Sequence, residues 1–517
     1  MIRSRFRVLL LFVLSIPSFY SNAQTSSPLP RSVPEAEGVS SAAILNFIKA
    51  AERSKNVLHS FMLLRHGKVV AEGWWDPYKP TLRHTLYSAS KTFTSTAIGF
   101  AVSENLLKLS DKVISFFPND LPENISPNLA AMSVKDLLTM SGGQGPDLSF
   151  SIGSKNKNWV KAFLATPVIN KPGTVFLYSS ISTFMLSAIL QKVTGQKEID
   201  YLKPRLFEPL GISGEDWEEN MMSQNTGGWG LRLKTEDMAK TGQLYLQKGS
   251  WNGNQLLPAS WIEEATTTKI IQHPDLPQSK KDSSDWEQGY GYQIWRCRHQ
   301  AYRADGAFGQ YIIVFPNLDA VLAIQAETQD IQNELNLVWD YMLPAIKKDK
   351  LPSDPKSLYA LKAKLSTLAL KANAGSFTSF TANKSLNKYF VLEPNENNIG
   401  SITLEIKDSI CHFIVNTSID TYNLYYGAGF WKSGQTNKPG PSLFGTAKEN
   451  FALLSPYKVT GNFYWKDDNT LVMELRYIES PHTETTTCHF DGKQVTIDIE
   501  RSLDFGSKKS TMTGVLK

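Results

Sequence analysis

Cysteine is scarce in this chain: Cys297, Cys411 and Cys488 are the only three in 517 residues. Three scattered thiols cannot build a disulfide scaffold or a four-ligand zinc site, and no two of them stand at metal-ligand spacing. Cys411 and Cys488 both fall in alternating, strand-like runs. They either pair, if those strands are neighbours in an oxidising compartment, or remain two buried thiols. An excess of charge is missing as well. The 54 Lys and Arg face 49 Asp and Glu, a net charge of +5 without a basic stripe, which argues against a nucleic-acid partner. The eight histidines show no His-Glu-x-x-His spacing, and no Gly-x-Ser-x-Gly elbow is present. No Walker or dinucleotide glycine pattern links a strand to a helix. Zincin chemistry, an α/β-hydrolase triad and a nucleotide are thereby set aside, and neither a metal nor an organic cofactor is implied.

Long apolar runs are absent apart from one, Val8 to Phe19, which follows Arg3, Arg5 and Arg7 and precedes Ser21-Asn22-Ala23. This is the layout of a secretory signal with a small-residue cleavage site. The run is short for a bilayer and Pro17 interrupts it, so residues 1–23 read as a removed leader. Loss of its three arginines takes the charge from +5 to +2. The expected location is periplasmic or secreted, with no stable membrane insertion after signal removal.

What is there is an ordinary globular composition, 41% hydrophobic and 20% charged, that changes character near residue 350. Residues 30–347 carry helix-like periodicity at 89–103, 183–192 and 235–247 and strand-like runs at 311–315 and 320–325, which predicts an α+β catalytic domain. The charged, proline-containing stretch 348–355 and a short helix through Leu361 to Lys371 read as a linker over 348–372. From 373 to 517 short alternating runs recur with turn residues between them, at 401–406, 412–415, 423–426, 461–465, 471–477 and 494–499. These predict an all-β antiparallel domain, read as a lipocalin-like barrel. The polar stretch 272–288 reads as a surface loop near the site.

The chemistry concentrates in three segments. In Leu86-Tyr87-Ser88-Ala89-Ser90-Lys91 a serine opens a run of small and apolar helix formers, and a lysine three residues on shares its face. A serine hydroxyl needs a base, and a lysine can serve if burial lowers its pKa. Ser-x-x-Lys alone is weak, since it recurs at Ser154, Ser353, Ser385 and Ser455, which read as surface. The second segment, Pro172-Gly173 through Tyr178-Ser179-Ser180, puts a tyrosine on a loop before a helix. There Tyr178 can relay protons with Lys91, and Ser180 can hydrogen-bond the lysine or a substrate amide. The third, Arg303 to Tyr311, runs through Ala307, Phe308 and Gly309 into the apolar strand at 312–315. Read as an edge strand, it would bring substrate against Ala307, Phe308 and Gly309, with the amides of Ser88 and Gln310 as an oxyanion hole. A glycine kept only for turn geometry is the alternative.

Taken in order, Ser88-x-x-Lys91, Tyr178-x-Ser180 and the glycine-rich strand at 306–310 resemble the three motifs of the serine beta-lactamase and penicillin-binding-protein superfamily, in particular its class C-like branch. The segments Asp136 to Gly142, Gly228 to Leu233 and Gln243 to Leu246 add to the resemblance, which covers residues 33–345. It implies an antiparallel sheet flanked by helices with a helical subdomain. The implied activity runs through an acyl-enzyme, with Ser88 as nucleophile and Lys91 and Tyr178 moving protons. Two positions depart from the pattern: Ser180 stands where asparagine is usual, and Ala307 where a lysine or histidine is usual. Loss of that cation disfavours a carboxylate-bearing penicillin and favours a neutral ester, amide or peptide, unless Arg303, Arg232 or His299 replaces it. The expected partner is a small-molecule or peptide substrate. A slowly acylating sensor of peptidoglycan fragments is the rival reading.

Overall fold

The computed structural model describes residues 28–147, 157–373, 375–377, 388–442, 456–503 and 509–517. The leader at 1–23 and the serines Ser154, Ser385 and Ser455 lie outside them, while Ser353 is exposed.

In chain order the first domain has β1 (Val57–Arg65), β2 (Lys68–Trp74), β3 (His84–Thr85), β4 (Asp216–Trp217), β5 (Leu231–Leu233) and the short hairpin β6 (Ser250–Trp251) and β7 (Asn254–Gln255). Then follow β8 (Trp295–Arg296), β9 (Tyr302–Gly306), β10 (Gln310–Phe315) and β11 (Ala320–Glu327). Six of these form an antiparallel sheet in the order β2-β1-β11-β10-β9-β8. The central strands are buried on both faces and so carry nearly unbroken apolar runs rather than alternation. Helix Thr235–Leu246 covers one face, and Ser41–Arg53 with Ile331–Leu337 covers the other. The first of these lies so close that a Cβ on Gly242 would come within 2.5 Å of Val321.

Helices Ser90–Ser103 and Ser180–Thr194 make the second layer. Each is buried on almost every side along its first three turns, which is why its sequence is small and apolar without a polar stripe. The second begins three residues earlier than its periodicity suggests, because Ser179 caps it by accepting from the Ser182 amide. The linker divides in two. Residues 352–354 are exposed, but helix Pro355–Leu365 packs on Ser41–Arg53 and buries Leu361 in the first domain's core.

The second domain contains β12 (Lys388–Leu392), β13 (Ile399–Lys407), β14 (Ile410–Thr417), β15 (Thr421–Ala428), β16 (Lys432–Thr436) and β17 (Tyr457–Asp467). It continues with β18 (Thr470–Tyr477), β19 (His482–Asp491), β20 (Gln494–Arg501) and β21 (Lys509–Leu516). The first strand pairs with the last, and a short parallel contact of Gly427–Ala428 on β15 with Asn462–Phe463 on β17 closes a nine-stranded barrel, with β16 added on β17. Phe413, Phe463, Trp465, Met473 and Phe490 fill its interior. Cys411 on β14 and Cys488 on β19 are not on paired strands, and both are buried free thiols.

The barrel docks on the first domain through the turn between β18 and β19. Leu503 enters the first domain's core, Arg476 meets Glu327 at 3.0 Å, and the Thr85 amide donates to the Glu479 carbonyl at 2.9 Å.

Candidate active site

Ser88 lies in a single 3₁₀ turn, Tyr87–Ala89, that runs directly into helix Ser90–Ser103. That geometry puts Lys91 one turn on, with its amine 2.9 Å from the serine Oγ. The lysine is 1% exposed, whereas Ser88 is only partly buried, so the hydroxyl is open to a ligand and the amine is not. Burial pushes the Lys91 amine down to about 7, against the charges of Asp147 and Asp305, which hold it up. Besides Ser88, Nζ meets the Ser180 Oγ at 2.9 Å and the Gly228 carbonyl at 2.7 Å. A neutral amine has two protons and one lone pair. Gly228 can only accept, so with Ser180 accepting the second proton the lone pair faces the Ser88 hydroxyl.

Tyr178 comes from the loop before helix Ser180–Thr194, and its ring stands 4.8 Å from the Lys91 amine. Its hydroxyl hydrogen-bonds Ser88, and its crowded surroundings push the phenol up, so that it stays protonated. Tyr290 and Trp295 hold the ring edge-on and tilted, at 6.3 and 5.3 Å. Ser88, Lys91, Tyr178 and Ser180, drawn from two segments 90 residues apart in the numbering, therefore meet at one point.

The third segment is arranged differently from the sequence reading. The strand at 310–315 is internal, not an edge, and β9 is the strand beside the turn that carries Ser88. A Cβ on Gly306 would sit 2.1 Å from the Leu86 carbonyl and 3.2 Å from the Ala89 amide. Gly306, rather than Gly309, is thus the glycine that permits close approach. Gly309 faces the buried Glu334 and Ala326, and Phe308 is 5% exposed within the protein. Gln310 stands across the ladder from Gly306, with its side chain donating to the Phe308 and Ala326 carbonyls at 3.1 and 2.7 Å. Ala307, partly buried, follows Gly306 directly.

None of the three suggested cations stands free beside Ala307. Arg303 is fully buried and paired with Asp305 at 2.7 Å, Arg232 binds Asp216 and Glu479 at the barrel junction, and His299 is exposed near Trp339. Two features escaped the sequence reading. Asp305, one residue before Gly306, brings a carboxylate near Lys91. Gly228 brings a carbonyl to the lysine, which is possible because a Cβ there would meet the Ser180 carbonyl at 2.6 Å. Its signal was the glycine-rich run 227–230. The polar stretch 272–288 contributes Asp285, which is fully buried beneath Arg298 and Trp339.

A buried lysine bonded to a serine three residues earlier, at the start of a helix beside an antiparallel sheet, defines the Ser-x-x-Lys class. The beta-lactamase family profile matches residues 56–343, and the chain belongs to that family. Protein flp of Staphylococcus aureus strain MRSA252 is 27% identical over 188 residues, 34% of this chain and 38% of that protein. The match thus spans less than two fifths of that relative's length. A 6-aminohexanoate-dimer hydrolase of Paenarthrobacter ureafaciens is 22% identical over 283 residues, 51% of this chain and 71% of that one. Among solved structures, a Bacillus anthracis protein provisionally named as such a hydrolase superposes with a TM-score of 0.52 at 19% identity, covering 64% of this chain and 90% of its own. That likeness concerns the fold.

Proposed function

We propose that the protein is an exported serine hydrolase that opens a neutral ester, amide or peptide bond through an acyl-enzyme on Ser88. The observation that carries this reading is the 2.9 Å contact of Ser88 with a buried lysine whose pKa is near 7. Such an amine is substantially neutral at physiological pH and can take the serine proton without a metal or histidine. Ser88 Oγ attacks the carbonyl carbon while its proton passes to Lys91. The amides of Ser88 and of Ala307, in place of the Gln310 amide expected from the sequence, stabilise the oxyanion, since Gly306 brings the end of β9 against the nucleophile turn while Gln310 lies across the ladder from it. Tyr178, protonated at rest, delivers a proton to the leaving group and takes up in its place the proton held by Lys91, which returns to the neutral amine. Lys91 then activates the water that releases the acyl group.

Family membership and the 6-aminohexanoate-dimer hydrolase among the relatives support hydrolysis. The carboxylates Asp147 and Asp305 near Lys91, in place of a free cation, support a substrate without its own carboxylate at that point. Export rests on the leader-like residues 1–23.

The test is intact-mass spectrometry of the protein and its Ser88→Ala variant after exposure to a fluorophosphonate, a penicillin and an activated ester. A single adduct on the wild type alone, with ester turnover, is the expected result. A folded wild type without adduct or turnover refutes the enzyme reading and favours a binding protein on the same fold.

A further inference from the structure

The residue before the nucleophile is held in an uncommon conformation. Tyr87 has φ +45°, left-handed backbone that a bulky side chain rarely adopts and that persists only where the surroundings impose it. Its side chain is tied to the barrel. The Tyr87 hydroxyl shares a hydrogen bond with His482 Nε2, the first residue of β19. The Tyr87 and His482 rings stand edge-on, with centroids 5.8 Å apart. Phe308, itself at φ +67° in the turn that follows β9, completes a triangle at 5.5 Å from each of them. All three side chains are at least 95% buried. Beside them the Thr85 amide, three residues before Ser88, donates to the Glu479 carbonyl of the same barrel turn, and Glu479 is fixed by Arg232 and Lys458 at 3.3 and 3.1 Å.

From this juxtaposition we propose that His482 is a positioning residue of the active site: the barrel clamps the nucleophile turn and the turn after β9 at a fixed separation through Tyr87 and Phe308. The proposal rests on the reading of Ser88 as nucleophile. A barrel that merely added stability would need no contact with the two turns that flank the reacting carbonyl. The clamp makes no contact with substrate, so it acts on the rate of acylation and not on ground-state binding. Displacements of about 1 Å at a nucleophile are enough to cost up to 100-fold in rate.

The experiment compares the full-length wild type with Tyr87→Phe, His482→Phe, the double variant and His482→Gln. Ester kcat and KM, the fluorophosphonate labelling rate, Tm and hydrogen exchange across residues 84–92 are measured for each. His482→Phe and Tyr87→Phe are expected to lower kcat and labelling about 10-fold, with KM within about twofold. The double variant should be no slower than the worse single one, because both remove the same tie. His482→Gln, which keeps an acceptor at that point, should recover most of the rate, and exchange across 84–92 should rise in His482→Phe while Tm stays within a few degrees. Unchanged kcat and exchange in His482→Phe, losses that multiply in the double variant, or a rise in KM alone would overturn the clamp. A wild type that is never labelled removes the hydrolase reading, and the exchange comparison then decides the clamp by itself.

Discussion

The two domains bury polar groups in opposite ways. The barrel interior is a packed apolar core of Phe, Trp, Met and two thiols, and its buried charges Glu474, Glu479 and Glu484 gather at one end, around the docking turn. The first domain buries Lys91 against Ser88, with Asp305 and its partner Arg303 close by, and buries further charges such as Glu198, Asp237 and Asp285 elsewhere. Burying a charge is costly unless it is paired, so charges persist inside only where something else requires them. For Lys91 that requirement is the proposed reaction, and for Glu479 it is the junction.

The sharpest break in this comparison is Lys91→Met. It should lower fluorophosphonate labelling at least about 1,000-fold while leaving the fold intact. The folded-state pKa of Lys91, near 7, lies below its unfolded value of 10.5, so folding disfavours the ammonium form. That penalty is absent above the unfolded value and grows as the pH falls toward 7. Lys91→Met should therefore melt higher than the wild type at neutral pH and lose that advantage in alkaline buffer. In the wild type, kcat/KM should rise with pH through about 7 and level off above it, because the neutral amine is the base.

The barrel counterpart is Arg476→Met. Burial alone would push the Glu327 carboxyl up, and the His59 ring and Arg476 guanidinium offset this and hold it down at about 2. Without Arg476 a buried carboxylate at the junction loses its cation, at a cost of about 3 kcal/mol in urea unfolding. Unlike Lys91→Met, this variant should lose stability first and activity only as the barrel lets go.

Two glycines make the finest contrast. Gly306→Ala drives a methyl into the Leu86 carbonyl beside the nucleophile and should cut the acylation rate by about 100-fold. Gly434→Ala on β16 meets nothing within 4 Å and should change stability by less than about 0.5 kcal/mol. Equal losses in both would mean that the site is no more tightly built than the barrel wall.

Local pattern carried the sequence reading as far as local pattern reaches. The periodicity of Ser90–Ser103 and the alternation of the barrel strands are properties of short windows, and both are legible. Ser88, Lys91, Tyr178 and Ser180 are legible because each sits at a helix start marked by small or capping residues. The third segment was misread because its glycines look alike in sequence, and only the approach of Gly306 to the Leu86 carbonyl and Ala89 amide tells which of them lies against the turn that carries Ser88. The roles of Gly228 and Asp305 depend on tertiary approach, and no window around them records it. The reach of His482 to Tyr87 spans 395 residues, beyond any motif.

That separation also sets an order of events in synthesis. A ribosome that has just finished the first domain has already made Ser88, Lys91 and Tyr178, but the strand that ties down Tyr87 does not yet exist. The barrel itself cannot close until its final strand reaches Phe390. Contacts of such long sequence separation form late. The tie on Tyr87 is therefore expected to form after Ser88, Lys91 and Tyr178 have all been made, and the turn that carries Ser88 to be fixed late.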